Sequence, residues 1–139
     1  MTERSRVNQL LRRHGLRATK GLGQHFLIDE DILRQVAGAV APDRSTTIVE
    51  IGAGIGNLTY LLALSGAKVV AIEIDPKFRP LHAETFTNRE VLRGGVEFHY
   101  VDALAFDFSG AARTAAEEGR RFAVAGNIPY QITSPLVMR

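Results

Sequence analysis

The chain has 139 residues, 45% of them hydrophobic and 23% charged, with a net charge of +2 and no cysteine; that suffices for one domain with a single core and excludes several. Disulfides and thiolate metal sites are excluded outright, and the four histidines (His14, His25, His82, His99) are too scattered to suggest a metal cluster. No apolar run approaches the roughly 18 residues that span a bilayer, and the arginine-bearing start lacks a secretory signal's apolar stretch, so a cytosolic, metal-free protein is expected.

The small net charge hides an asymmetry. Residues 1–28 carry Arg4, Arg6, Arg12, Arg13, Arg17 and Lys20 against Glu3, a balance of +5, which leaves −3 for the rest. A basic arm on a slightly acidic body fits a polyanion-binding edge, because each phosphate contact releases condensed counterions. An ordinary solvated terminal helix accounts for the charges equally well.

In chain order, residues 5–14 read as a helix with Ser5 as N-cap, Val7, Leu10 and Leu11 on one face, and Gly15 at its end. A glycine-containing connector over 20–27 leads to a second helix, capped by Asp29, with Ile32, Leu33, Val36, Ala37 and Val40 as its apolar positions and Pro42 as its stop. From residue 46 the pattern alternates between strand and helix. Strands are expected at 46–51, 68–74, 96–101 and 122–125, and helices at 58–65, 76–88 and 110–118. Such alternation predicts an α/β fold, with a parallel sheet covered by helices on both faces.

The first strand runs into Glu50, Ile51, Gly52, Ala53, Gly54, Ile55 and Gly56. Glycines at a strand end let a ligand lie against the backbone, although such a turn also serves tight strand-to-helix packing. The next strand leads to Glu73, 21 residues after Gly52, where a carboxylate can accept from both hydroxyls of a ribose. The two features together point to an adenosine-type ligand. A dinucleotide fingerprint needs glycine at its sixth position, where this chain has Asn57. Glu50 before the first glycine suits the ammonium of a methionine moiety better than a pyrophosphate, so S-adenosylmethionine is favoured over a nicotinamide dinucleotide. Asp102, followed by Ala103, comes after the third strand and would face the same crevice, positioned to accept from the cofactor's adenine amine. Asp107 competes for that role, and either aspartate can instead be a turn or cap residue.

After the fourth strand come Asn127, Ile128, Pro129 and Tyr130. Asn127 offers an amide oxygen, Pro129 stiffens the backbone behind the Ile128 carbonyl, and Tyr130 offers a flat face, although a proline turn with a buried tyrosine also accounts for the four residues taken alone. Two acceptors can bind the hydrogens of an adenine amine and favour a tetrahedral nitrogen, while the tyrosine stacks on the base. Asparagine does not titrate, so no general base is implied. A base reaching such a pocket must leave its stack, which favours a single-stranded or loop substrate.

With these residues assembled, the chain resembles the ribosomal RNA adenine N6,N6-dimethyltransferases of the small subunit. The resemblance runs from Gly21–Leu27 through Glu50–Gly56, Glu73–Asp75 and Asp102-Ala103 to Asn127–Tyr130. It implies a Rossmann-like methyltransferase sheet and S-adenosyl-L-methionine as cofactor, held by His25, Leu27, Glu50, Gly52, Gly54, Glu73, Asp102, Ala103 and Asn127. It also implies dimethylation of two adjacent adenosines near the 3′ end of the small-subunit RNA, with that RNA or the immature small ribosomal subunit as partner and a monomer when complete. Residues 1–44 then form a basic helical extension and cofactor-covering segment, and residues 45–139 the first part of the catalytic domain. Family members have seven strands and a further helical domain, so a fragment is expected. Two alternatives stay open: an adenine methylase of large-subunit RNA of the antibiotic-resistance type, which shares every motif named, and half of a dinucleotide-dependent oxidoreductase.

Overall fold

The structure, a computed structural model, describes residues 9, 11–16, 34–35, 38–87 and 94–126. Its centre is a parallel four-stranded sheet in the order β3-β2-β1-β4, formed by β1 (Thr46–Ile51), β2 (Lys68–Ile72), β3 (Val96–His99) and β4 (Arg121–Gly126). The β-branched run of β1 occupies the interior, and all six of its residues are buried. Ile48, Val69 and Ala125 face α1 (Asn57–Leu64), packing on Leu58, Leu62 and Ala63. On the other face Val49, Val70 and Ile72 meet Phe108 and Ala111 of α3 (Phe108–Glu117) together with Phe106. Helices thus cover both faces, as parallel strands require.

The elements follow the expected order, and their ends differ for local reasons. In place of a single helix over 76–88, a 3₁₀ turn (Pro76–Phe78) leads into α2 (Arg79–Thr85). Pro80 has no N–H to give the Pro76 carbonyl, which instead accepts from Arg79. α3 begins two residues before its expected start because the Asp107 carboxylate caps the Gly110 amide at 2.9 Å. β2 and β3 stop early, at Ile72 and His99, with the Glu73 amide giving the last bond to the His99 carbonyl at 3.0 Å.

Residues 11–13 are helical, and Gly15, at φ 67°, turns the chain so that the Leu16 amide reaches the Leu11 carbonyl at 2.7 Å. Leu11 and Leu16 are buried against Ile55, Phe78 and Leu81. Residues 11–16 of the basic arm are therefore anchored by apolar burial to the glycine loop and α2. Residues 34–35 and 38–40 are helical as expected, whereas the proposed caps Ser5 and Asp29 lie outside the described residues.

Candidate functional site

From β1 the chain steps outward to β2 and β3, then returns across the sheet to place β4 on the other side of β1. The carboxyl ends of β1 and β4 form the topological switch point, where open α/β sheets leave a crevice for ligands. Gly126 pairs with Ile51 there. A Cβ on Gly126 would lie 2.3 Å from the Ile51 carbonyl oxygen, and its φ of 145° also disfavours a side chain. The chain therefore leaves β4 pressed against the residue that precedes the glycine loop.

The shape of the loop depends on its glycines. Gly52, Gly54 and Gly56 all have positive φ (75°, 57° and 94°), conformations that side chains resist. Gly52 and Ala53 both donate to the Ile72 carbonyl, at 2.9 and 3.1 Å, tying the loop to β2. Gly52 is exposed, while Ala53, Gly54, Ile55 and Gly56 are buried. Gly56 ends the loop as the left-handed N-cap of α1, where a Cβ would come within 2.8 Å of the Phe86 ring.

Glu73, directly after β2, is 2% exposed, with Oε1 accepting the Gly54 amide at 2.7 Å and Oε2 the Asp75 amide at 2.9 Å. The Ile74 amide also bonds this carboxylate, which leaves only part of its acceptor capacity open. Burial raises its pKa, opposed by these amide bonds. Glu50, expected near an ammonium, takes a different partner: it is 1% exposed between the sheet and α1, and its Oε1 accepts the hydroxyl of buried Thr59. Burial lifts its pKa to about 7. A contact between Glu50 and an ammonium would have to replace or extend the bond to Thr59.

Asp102 follows β3 and is exposed, with Oδ1 accepting the Leu104 amide at 2.9 Å as the cap of a 3₁₀ turn (Ala103–Ala105). Ala103 is buried beneath it. Asp107 is likewise a cap, but for α3. Two residues that sequence reasoning passed over adjoin the acids: Ile74 and Val101 are 54% and 40% exposed, large apolar side chains immediately after Glu73 and before Asp102. Their signal in the sequence was an apolar residue beside each site acid, hidden by assigning both to strands.

Of the arm's cations, Arg12 is exposed, whereas Arg13 pairs with Glu84 of α2, which also holds His14 Nε2 at 2.7 Å. Arg4, Arg6, Arg17 and Lys20 lie outside the described residues, as do His25, Leu27, Asn127, Ile128, Pro129 and Tyr130. Among the described residues no cluster of three metal-ligating side chains occurs, and no helix is long and apolar enough to cross a membrane.

Residues 15–139 match the family model of ribosomal RNA adenine dimethylase. The chain belongs to this family. Relatives named ribosomal RNA small subunit methyltransferase A include those of Deinococcus radiodurans, 42% identical over 97% of this chain, and Enterococcus faecalis, 36% identical over 96%. The chain spans 42% and 44% of their respective lengths. Among solved structures, the 23S rRNA methyltransferase ErmE is similar with a TM-score of 0.63 and 27% identity, over 82% of this chain and 41% of that one. A dimethyladenosine transferase from Plasmodium falciparum gives 0.61 and 28%, over 82% and 37%. The four parallel strands and their helices are thus part of the Rossmann-like sheet of this methyltransferase family, and the half-dehydrogenase alternative falls away.

Proposed function

We propose that the protein acts in S-adenosylmethionine-dependent N6-dimethylation of two adjacent adenosines near the 3′ end of small-subunit ribosomal RNA, in the cytoplasm. The observation that carries this reading is at the carboxyl ends of β1, β2 and β3, where Gly52 is exposed, the Gly54 amide donates to Glu73, and Ile74 and Val101 are exposed apolar side chains. Such a donor set fits an adenosine bearing a charged tail. The remaining acceptor capacity of Glu73 suits ribose hydroxyls, Ile74 and Val101 suit the faces of a purine, and Asp102 suits its amine. His25 and Leu27 would cover the cofactor, with Glu50, Gly54 and Ala103 behind it.

When bound, S-adenosylmethionine supplies an electrophilic methyl group on a sulfonium. The chain's own part is to hold the target amine. Asn127 and the Ile128 carbonyl would accept its two hydrogens, Pro129 would fix that carbonyl, and Tyr130 would stack on the base. The identities of 36–43% to small-subunit enzymes favour that substrate, while the likeness to ErmE supports a second reading in which large-subunit RNA is methylated. Tritiated methyl transfer, mapped on immature small subunits and on large-subunit RNA with this chain and a full-length version, tests both. Label at the small-subunit adenosines is expected with the full-length protein; label only on the large-subunit RNA would replace the proposal with the second reading.

The basic arm would add RNA affinity that depends on salt. Deleting it would also remove Leu11 and Leu16 from the core, so charge substitutions are the cleaner probe. Replacing Arg4, Arg6 and Arg12 by Gln should make the slope of log affinity against log salt shallower by about 0.7–0.9 for each phosphate no longer neutralised. Arg13→Gln should do less, because Arg13 is already paired with Glu84. An unchanged slope in the triple variant would return the arm to the status of a solvated helix.

A further inference from the structure

The glycine loop is gripped by a residue that no motif of the site includes. His82 on α2 is 2% exposed, and its ring lies between the loop and β3. Nε2 is 2.6 Å from the Gly54 carbonyl oxygen and Nδ1 is 2.7 Å from the Tyr100 hydroxyl. A carbonyl only accepts, so Nε2 must carry the hydrogen. In the neutral ring Nδ1 then accepts, and the Tyr100 hydroxyl must donate to it. The ring is fixed in its plane by stacking on Phe98 at 4.1 Å and 11°, with Phe78 parallel at 5.9 Å. Tyr100 is in turn covered by the Arg79 guanidinium, 4.7 Å from its ring centre.

The consequence falls on Gly54. Its N–H is held by Glu73 and its C=O by His82, so both sides of one glycine are tied to two different elements. This residue sits at φ 57°, between the exposed Gly52 and the helix cap Gly56. Neither hydrogen bond of Gly54 is directed at a ligand; together they set the position of the loop that is. We propose that His82, oriented by Tyr100, is a positioning residue that holds the glycine loop in its cofactor-accepting shape, so that it governs cofactor affinity and not the methyl-transfer step. The role rests on the methyltransferase reading.

The full-length enzyme provides the test, with S-adenosylhomocysteine affinity measured by calorimetry and KM and kcat for S-adenosylmethionine measured alongside. His82→Leu fills the apolar cage but cannot donate, and it should weaken binding and raise KM by about tenfold, the equivalent of one lost hydrogen bond, with kcat little changed. His82→Gln, which retains a donor, should recover part of the loss. Tyr100→Phe leaves the cage intact and removes only the orienting hydroxyl, so it should weaken binding several-fold even where His82→Leu does not fold. Long-range nitrogen–proton correlation in the wild type should show His82 as the neutral tautomer with its hydrogen on Nε2. Folded His82→Leu and Tyr100→Phe variants with wild-type affinity would overturn the role, as would a loss confined to kcat or the opposite tautomer. A wild-type enzyme that binds no S-adenosylhomocysteine would instead remove the methyltransferase reading itself.

Discussion

Asn127→Ala in the complete enzyme is expected to lower single-turnover methyl transfer by about 10²–10³-fold, the loss typical of one transition-state hydrogen-bond acceptor. The reason begins in the sheet. β4 pairs with β1 through Gly126 and Ile51, and the close approach at Gly126 leaves no room for a side chain, so β4 ends against the residue that precedes Gly52. An adenine amine is a poor nucleophile because its lone pair is delocalised into the ring. An acceptor that favours the tetrahedral nitrogen helps only as the new bond forms, so the larger part of the deficit should appear in kcat, beyond whatever the loss of an Asn127 contact does to cofactor affinity. Asn127→Asp separates acceptance from other roles, since it keeps the oxygen and loses the amide donor. Wild-type turnover by the alanine variant would end this account of the tetrapeptide. The contrast with His82 is that Asn127 is expected to act mainly on kcat and His82 on KM.

Much of this organisation is legible in the sequence because it depends on short-range rules. The β-branched run of β1, the Gly52, Gly54 and Gly56 turn and the alternation of elements each follow from local propensity and period, and each is present. Helix starts are less legible. Asp107 reads equally well as a site residue or a cap until the Gly110 amide is seen to fold back on it. Partnerships across the fold are not legible at all. Nothing in the spacing of Glu50 and Thr59, or of Gly54, His82 and Tyr100, announces that these side chains meet, because each pair is joined through the packing of separate elements. In the sequence His82 is only one of four scattered histidines. Its actual setting depends on Phe98, an apolar residue whose sequence pattern says strand and nothing more.

The burial of Glu50 predicts an alkaline weakness of the fold that a single substitution should cure. Its pKa rises from 4.5 to about 7 because burial penalises the carboxylate, with the negative charge of Glu73 adding to the effect and the Thr59 hydroxyl opposing it. The folded state therefore holds a proton that the unfolded chain has released, and stability present below pH 4.5 is lost as pH rises to about 7. The fully developed loss is ~3 kcal/mol for such a shift. His82 has the opposite slope: burial lowers its pKa from 6.5 to about 4, so its stability is present above pH 6.5 and lost as pH falls to about 4. The two slopes oppose each other between pH 4.5 and 6.5, with Glu73, whose pKa burial also raises, sharing the sign of Glu50, and from pH 6.5 to about 7 only the carboxylate loss remains. Glu50→Gln keeps an acceptor for Thr59 and carries no charge. In denaturant unfolding without cofactor it should be more stable than wild type at pH 8, and its profile should rise more steeply than the wild type's between pH 4.5 and 6.5, where the histidine slope is opposed only by that of Glu73. Parallel wild-type and Glu50→Gln profiles from pH 4 to 8 would mean that Glu50 is ionised in the folded protein, free to meet an ammonium as its place beside Gly52 first suggested.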